Sequence, residues 1–287
     1  MLPRGYWVEG SEPVSDPVGM FGGRLDAETH IVTGAVSAVQ NLTKCVEGAG
    51  VQVDQIVLES LASAECVLTE QERQQGVAVA DIGGSTTSLA VYDEGAIAHT
   101  ACLPIAGSHL TYDLARVLRC PWEAAETLKC TRGQAFPTSD IEHETVEIDA
   151  FGTQPRKEVN LGYVSEILQA RAEEVIDQLA VELKKAAYYD RIAAGLVLTG
   201  GGSQLTNLAE MAEGRLGLPV RPGTPRGFNG MSDLIGSPAY STGIGLASYA
   251  LHEGEEVAEP AGGAGFEMPV AGFFRRLASF GRALMPQ

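Results

Sequence analysis

Nowhere in the chain do about 18 apolar residues run together, the length a helix needs to span a bilayer. No N-terminal stretch combines a charged start, an apolar core and a cleavage site. The expectation is a protein that stays inside the cell and does not cross a membrane. Basic residues are scarce, with 20 Lys and Arg against 37 Asp and Glu and a formal net charge of -17. A polyanion would be repelled, so no nucleic acid is expected as a partner. Cysteines are few: Cys45, Cys66, Cys102, Cys120 and Cys130 are odd in number and form no C-x-x-C pair. Buried free thiols in a reducing compartment are expected, not disulfides. The histidines are scattered and no G-x-S-x-G occurs, which argues against metal-hydrolase and serine-hydrolase chemistry.

What is present is an ordinary folded composition, 45% hydrophobic and 20% charged over 287 residues, enough for two domains. Extended pieces and turns fill residues 1 to about 33. Val36, Val39, Leu42 and Val46 have helical spacing that ends at Gly48 and Gly50. "VQVDQIVLE" reads as a short strand and "SLASAECVLTEQERQQG" as one helix. A hairpin occupies 77 to 95, and "AIAHTACLPIAG" continues its sheet. Two helices follow, the second opening at Pro121, where a missing N–H costs little. Residues 131 to about 162 are polar, with "ETVEIDAF" as a strand. The longest helix runs through "YVSEILQARAEEVIDQLAVELKKAA". Strand, glycine turn and helix come next, "AGLVLTGGGSQLTNLAEMAEGRLG", and the order points to an α/β fold with an antiparallel hairpin included. From His252 to about Val270 the composition is that of a linker.

Two glycine turns carry the chemistry. In "VADIGGSTTSLAVY", Gly83 and Gly84 let backbone N–H groups converge on an anion, and Ser85 and Thr86 add hydroxyls. Asp81 at the strand end would face a cation on the phosphates, Mg²⁺ through water. In "GLVLTGGGSQLTNL", Gly200, Gly201, Gly202 and Ser203 place bare backbone and a helix start beside a ligand. A tight turn explains either one alone. Neither is a Walker A loop or a G-x-G-x-x-G, and the pair is more specific than its parts.

On these residues the sequence resembles the ATPase superfamily of actin, heat-shock chaperones and sugar kinases, and within it the FtsA family of bacterial cell-division proteins. Further matching stretches are "DPVGMFGGRLDAETHIVTG", "VLESLASAECVLTEQERQQG", "LPIAGSHLTYDLARVL", "AAETLKCTRGQA", "VSEILQARAEEV" and "PAYSTGIGLASYAL". The resemblance implies an actin-like (ribonuclease H-like) fold with an incomplete first lobe and a complete second lobe. It makes 1–33 part of the FtsA-specific subdomain and 34–76 part of the first lobe. The second lobe would hold the phosphate hairpin in 77–125, a subdomain in 126–190 and the adenosine motif in 191–251. It implies ATP and Mg²⁺ as ligands, with Glu126 and Lys129 flanking the adenosine, although a solvated helix face accounts for that pair equally. Glu59 aligns with a water-polarising position, or is a strand-end carboxylate with no catalytic part. Two departures stand out: Gly-Gly-Ser replaces a triple glycine, and Ser88 stands where an aspartate commonly follows Thr-Thr.

The family's first phosphate hairpin is not matched, and no D-x-G-[ST] loop occurs anywhere in the 287 residues. Weak or absent ATP binding and no useful hydrolysis are therefore expected, with residues 1 to about 76 poorly supported. At the other end, "GFFRRLASFGRALMPQ" puts Phe273, Phe274, Leu277, Phe280 and Leu284 on one helical face, flanked by Arg275, Arg276 and Arg282. After the acidic linker of 252–270, residues 271–287 read as an in-plane amphipathic anchor for anionic lipids, or as a helix docking on its own domain. The resemblance also implies the tubulin-like protein FtsZ as partner, through Arg171 and Glu174 on a helix face that is otherwise simply solvated. It further implies actin-like self-association, other divisome proteins, and a place on the cytoplasmic face of the membrane at the division site. A pilus-assembly actin-like protein, or a small-molecule kinase of the same fold, is the alternative.

Overall fold

The run Val77–Ile82 is buried at every position, so it must lie in the middle of a sheet covered on both faces. In the computed structural model it does. The structure describes residues 2–10, 12–14, 16–152, 156–227 and 235–256, with side chains to 251. By its contacts the chain divides into two units, Met1–Ala250 and Leu251–Gln287.

Strands β1 (Leu2–Val8) and β2 (Leu25–His30) form an antiparallel hairpin, followed by helices α1 (Val36–Gly48), α2 (Glu59–Val67) and α3 (Glu70–Gln75). The central sheet uses β3 (Val77–Ile82), β4 (Thr87–Asp93) and β5 (Ala96–Leu103), and later β8 (Leu196–Thr199) and β9 (Val220–Pro222). Its order is β5-β4-β3-β8-β9, antiparallel on one side of β3 and parallel on the other. Between these strands lie α4 (Gly107–Leu118), α5 (Trp122–Arg132), the hairpin β6 (Thr145–Asp149) with β7 (Arg156–Asn160), α6 (Leu161–Lys185) and α7 (Leu208–Leu216). Helix α8 (Ser241–Glu256) closes the described chain.

Alternation along β3 sorts the two cores. Ala78, Ala80 and Ile82 face a large cluster with Leu114, Leu168 and Leu179 from α4 and α6. Val77 and Val79 face a smaller one with Ala64, Val67 and Ile244 from α2 and α8. Asp81 therefore points to the α2–α8 face.

Several expectations change. Residues 51–58 form no strand; among the described residues no neighbour pairs with them, and Val51 and Ile56 are exposed. The helix read across 60–76 breaks at Leu68 because Thr69 starts a new one: Thr69 and Glu72 form a reciprocal capping box at α3. Strand β7 escaped notice because "RKEVN" is polar at most positions. The helix read from Gln204 begins at Leu208, after a 3-10 turn over Gly201–Gln204, and α8 continues through Glu256 into the linker-like composition. Cys66 and Cys120 are buried, but Cys45, Cys102 and Cys130 are exposed; all five are free. Support within 34–76 is uneven. No residue of α1 is buried, whereas α2 buries Ser60, Ala62, Ser63, Ala64, Cys66 and Val67.

Arg221 on β9 ties this face together, reaching Glu72 with bonds of 2.6 and 2.8 Å and the Val67 carbonyl at 2.9 Å. Burial alone would push the Glu72 carboxyl up. The Arg221 fork and the Thr69 donors outweigh it and hold it down, from 4.5 to about 2. A depressed carboxylate stabilises the fold fully above about pH 4.5 and loses that contribution as pH falls towards 2. Glu72→Gln is expected to flatten this acid limb in denaturation curves. At neutral pH it should cost about 2 kcal/mol, once solvent screening is allowed for.

Candidate nucleotide site

Parallel pairing sets Asp81 beside Thr199, so β3 and β8 end at one level and their two glycine turns emerge side by side. Gly200 has φ +85°, and a Cβ there would lie 2.5 Å from the Ile82 carbonyl oxygen and collide with Asp81 Oδ1. A Cβ on Gly202 would lie 2.6 Å from Ile82 Cγ2. Gly107, the first residue of α4, joins them: its Cβ would be 3.1 Å from the Gly83 oxygen and 3.7 Å from Gly202 Cα. Three segments separated in sequence meet here so closely that their glycines leave no room for a side chain.

The turn of the β3–β4 hairpin is held by several hydrogen bonds. Gly83 N–H donates to the Thr86 carbonyl at 3.0 Å. From α4, the N–H groups of Gly107 and Ser108 donate to the carbonyls of Gly83 and Gly84 at 3.1 and 2.7 Å. Buried Thr87 donates to the Ile105 carbonyl at 2.6 Å. Among the described residues these bonds leave the N–H groups of Gly84 and Ser85 uncommitted, at an exposed tip.

Asp81 is 3% exposed; Ser63 and Thr242 donate to its Oδ2, Thr242 at 3.0 Å. Glu59 opens α2 and accepts from Ser88 at 2.6 Å, and Ser88 pairs with Asp81 across β3 and β4. Glu59 thus stands beside the Asp81 end of the sheet. The donors at this end are all oxygens, which suits Mg²⁺. No group of three or more His, Cys, Asp or Glu gathers among the described residues. Phosphate oxygens and water would therefore supply most of the ion's coordination, with Asp81 accepting from its water shell.

On the far side of Gly107, Lys129 donates to Glu126 (2.8 and 2.9 Å), to Thr111 Oγ1 (2.9 Å) and to the Gly107 carbonyl (3.2 Å). Thr111 also donates to Glu126. Burial would raise the Glu126 carboxyl, but hydrogen bonds from Lys129 and Thr111 prevail and hold it below its ordinary value. A cavity of about 320 Å³ opens between α5 and the Gly201–Gln204 turn, lined by Leu110, Ile141 and Leu205 and by Lys129, Gln134 and Gln204. That is the lower end of the range of about 300–1,000 Å³ for small-molecule sites, room for a nucleoside.

The structure therefore gathers Glu59, Asp81, Gly83, Gly84, Ser85, Thr86, Gly200, Gly201 and Gly202 at one end of the central sheet, with Glu126 and Lys129 beyond Gly107. Ser203 turns back to donate to the Gly200 carbonyl at 2.8 Å. Arg171 and Glu174 lie elsewhere, on α6: Arg171 forks onto Asp113 of α4 at 2.7 and 3.1 Å and reaches Glu174 at 2.6 Å. Phe273, Phe274, Arg275, Arg276, Leu277, Phe280, Arg282 and Leu284 lie outside the described residues. Sequence reasoning missed Gly107, Thr111, Gln134 and Gln204. A glycine between a strand and a helix, "IAGSHL", was the available signal for Gly107.

A family model described as "Cell division protein FtsA" matches residues 78–245, and one described as "SHS2 domain inserted in FTSA" matches residues 1–33. The chain is 42% identical over 252 residues to the cell division protein FtsA of Pseudomonas aeruginosa, covering 88% of this chain and 60% of that protein. The FtsA of Neisseria meningitidis is 41% identical over 260 residues, covering 90% and 63%. That of Escherichia coli K12 is 36% identical over 263 residues, covering 89% and 62%. The chain thus spans 60–63% of the length of these relatives. Among solved structures, MreB5 of Spiroplasma citri bound to ADP superposes with TM-score 0.61 at 18% identity, over 85% of this chain and 84% of that one. The PilM–PilN type IV pilus biogenesis complex gives 0.55 at 20%, over 75% and 58%. These likenesses fix an actin-like ATPase fold. With the family model matching residues 78–245, more than half of the chain, and relatives above 40% identity, the chain belongs to the FtsA family of cell-division proteins.

Proposed function

We propose that this chain is a cell-division adaptor that tethers FtsZ filaments to the cytoplasmic face of the membrane and helps assemble the divisome, with an adenine nucleotide as a weakly bound ligand. The observation that carries the reading is the span of the family match: residues 78–245 contain both glycine turns, α4, α5 and the first turn of α8. In this reading Gly201 and Gly202 lie against the adenosine and Glu126 and Lys129 flank its ribose. The Gly83–Thr86 tip meets the phosphates, and Asp81 orients the water shell of Mg²⁺. The ion would neutralise phosphate charge. Glu59, held by Ser88, is the group placed to orient a water. No useful hydrolysis follows from so few phosphate donors among the described residues.

Membrane attachment is assigned to residues 271–287. Five large apolar side chains at roughly 1.5–3 kcal/mol each set an upper bound of about 7–15 kcal/mol. A shallow interfacial position realises about half of that, and three arginines add about 1 kcal/mol each beside anionic lipid. Against the cost of ordering a short helix, one copy binds reversibly and an actin-like array binds firmly. FtsZ contact is assigned to the α6 surface of Arg171 and Glu174, where the Arg171–Asp113 fork supports a fixed presentation of Glu174.

Co-sedimentation with anionic vesicles, with and without FtsZ, tests both halves. The chain is expected to pellet with vesicles and to carry FtsZ down with it. Phe273→Glu with Phe280→Glu should abolish pelleting, and Glu174→Lys should lose FtsZ while keeping the vesicles. Unchanged pelleting of the double variant would remove the anchor from the proposal; FtsZ recruitment unaffected at position 174 would remove that surface.

A further inference from the structure

Two side chains that the nucleotide reading leaves unused donate to the buried carboxylate of Asp81. Ser63, within α2, donates to Asp81 Oδ2. Thr242, in the first turn of α8, donates to the same oxygen at 3.0 Å, and the two hydroxyls are 3.1 Å apart. One residue earlier, Ser241 lies 2.6 Å from Thr199 Oγ1, at the end of the neighbouring strand. The Cys66 thiol donates to the Ser241 carbonyl at 3.1 Å, fixing that first turn from α2. The other carboxylate oxygen, Oδ1, lies on the Gly200 side, where a Cβ would collide with it.

This arrangement has two consequences. A carboxylate on a strand end has a broad terminal torsion and can offer either oxygen to a ligand. Two donors on Oδ2 fix its plane and leave Oδ1 on the Gly200 side, without a donor among the described side chains. The donors also come from separate helices whose backbones touch: a Cβ on Gly245 of α8 would come within 3.0 Å of the Ala62 oxygen of α2. A shift of either helix along the other would withdraw one hydroxyl from Asp81.

We infer that Ser63 and Thr242 are positioning residues, which aim Asp81 Oδ1 at the water shell of a nucleotide-bound divalent cation and so link occupancy of that site to the α2–α8 crossing. The inference rests on the nucleotide reading proposed above and adds residues that act through Asp81.

The test measures ADP binding by NMR titration at millimolar nucleotide, with and without Mg²⁺. It compares the 287-residue chain with Thr242→Val, Thr242→Ser and Ser63→Ala. Without Mg²⁺ all four are expected to bind alike. Mg²⁺ should tighten binding of the parent and of Thr242→Ser equally. Thr242→Val and Ser63→Ala should lose about five-fold of that gain, as expected for removing one charge-assisted hydrogen bond that acts through a second group. Thr242→Val keeping the full gain would overturn the positioning role and leave the nucleotide reading standing. Loss of the gain in Thr242→Ser as well would assign the effect to packing and equally overturn it. A parent chain that binds ADP with no response to Mg²⁺ would instead overturn the assignment of Asp81 itself.

Discussion

Replacing Gly200 by alanine is expected to destabilise the protein by about 3 kcal/mol or more and to eliminate nucleotide binding, two effects with one cause. At φ +85° an L-residue is strained, at about 1–3 kcal/mol. The new Cβ also meets the Ile82 carbonyl at 2.5 Å, which is fixed backbone, and Asp81 Oδ1, whose carboxylate is held by Ser63 and Thr242. Relieving that overlap costs roughly another 1–3 kcal/mol and moves the two turns apart. Gly245→Ala tests the same physics with the opposite local bias. It sits inside α8, where alanine should gain about 1 kcal/mol by helix propensity. The Ala62 oxygen occupies the space its methyl needs, so the sign is expected to reverse. Gly214→Ala in α7 is the control, with nothing within 4 Å of the added methyl, and should stabilise by about 1 kcal/mol. Urea denaturation of the three variants, with ADP titration of the first, measures all of this. Equal midpoints for Gly200→Ala and the parent would show that the two turns are not packed as described.

What could be read in advance follows from the range of the interactions involved. The hairpin at Gly83 and the turn at Gly200 were legible because their chemistry is local: a strand end, glycines, hydroxyl residues. Their adjacency was not derivable from spacing, since it depends on the parallel pairing of Asp81 with Thr199; the resemblance to the actin-like ATPases supplied it. Thr242 reaches Asp81 from 161 positions along the chain, and no local pattern announces such a bond. Residues 51–58 misled because alternation signals a strand only if a partner strand is there to pair. Strand β7 hid for the converse reason: paired with β6, it buries Val159 alone and looks polar. At Lys129 the structure shows an internal contact and no ligand role. Its ammonium is satisfied by Glu126, Thr111 and Gly107, all within the protein, so it braces α5 against the start of α4.

ATP is expected to bind the 287-residue chain only weakly, with a dissociation constant of hundreds of micromolar or more and within about a hundredfold of adenosine's. In the proposed reading the cavity of about 320 Å³ beside α5 takes the nucleoside, so the adenosine part would keep its contacts. Among the described residues the phosphates would meet a single hairpin. Its own bonds hold Gly83, leaving the N–H groups of Gly84 and Ser85 and nearby hydroxyls to face the anion. Each charge-assisted hydrogen bond not made removes roughly 1.5–3 kcal/mol. Three such absences correspond to several powers of ten in affinity, more than Mg²⁺ screening at Asp81 recovers. Competition titration of ATP, ADP and adenosine against a fluorescent nucleotide would measure the ratio directly. Micromolar ATP affinity, or an ATP-to-adenosine ratio of many thousandfold, would mean that phosphate donors beyond this hairpin act in the chain. With a small ratio, the cleft's grip on nucleotide comes from the Gly200 turn and α5, and the phosphate hairpin contributes chiefly by holding Asp81 and α4 in register.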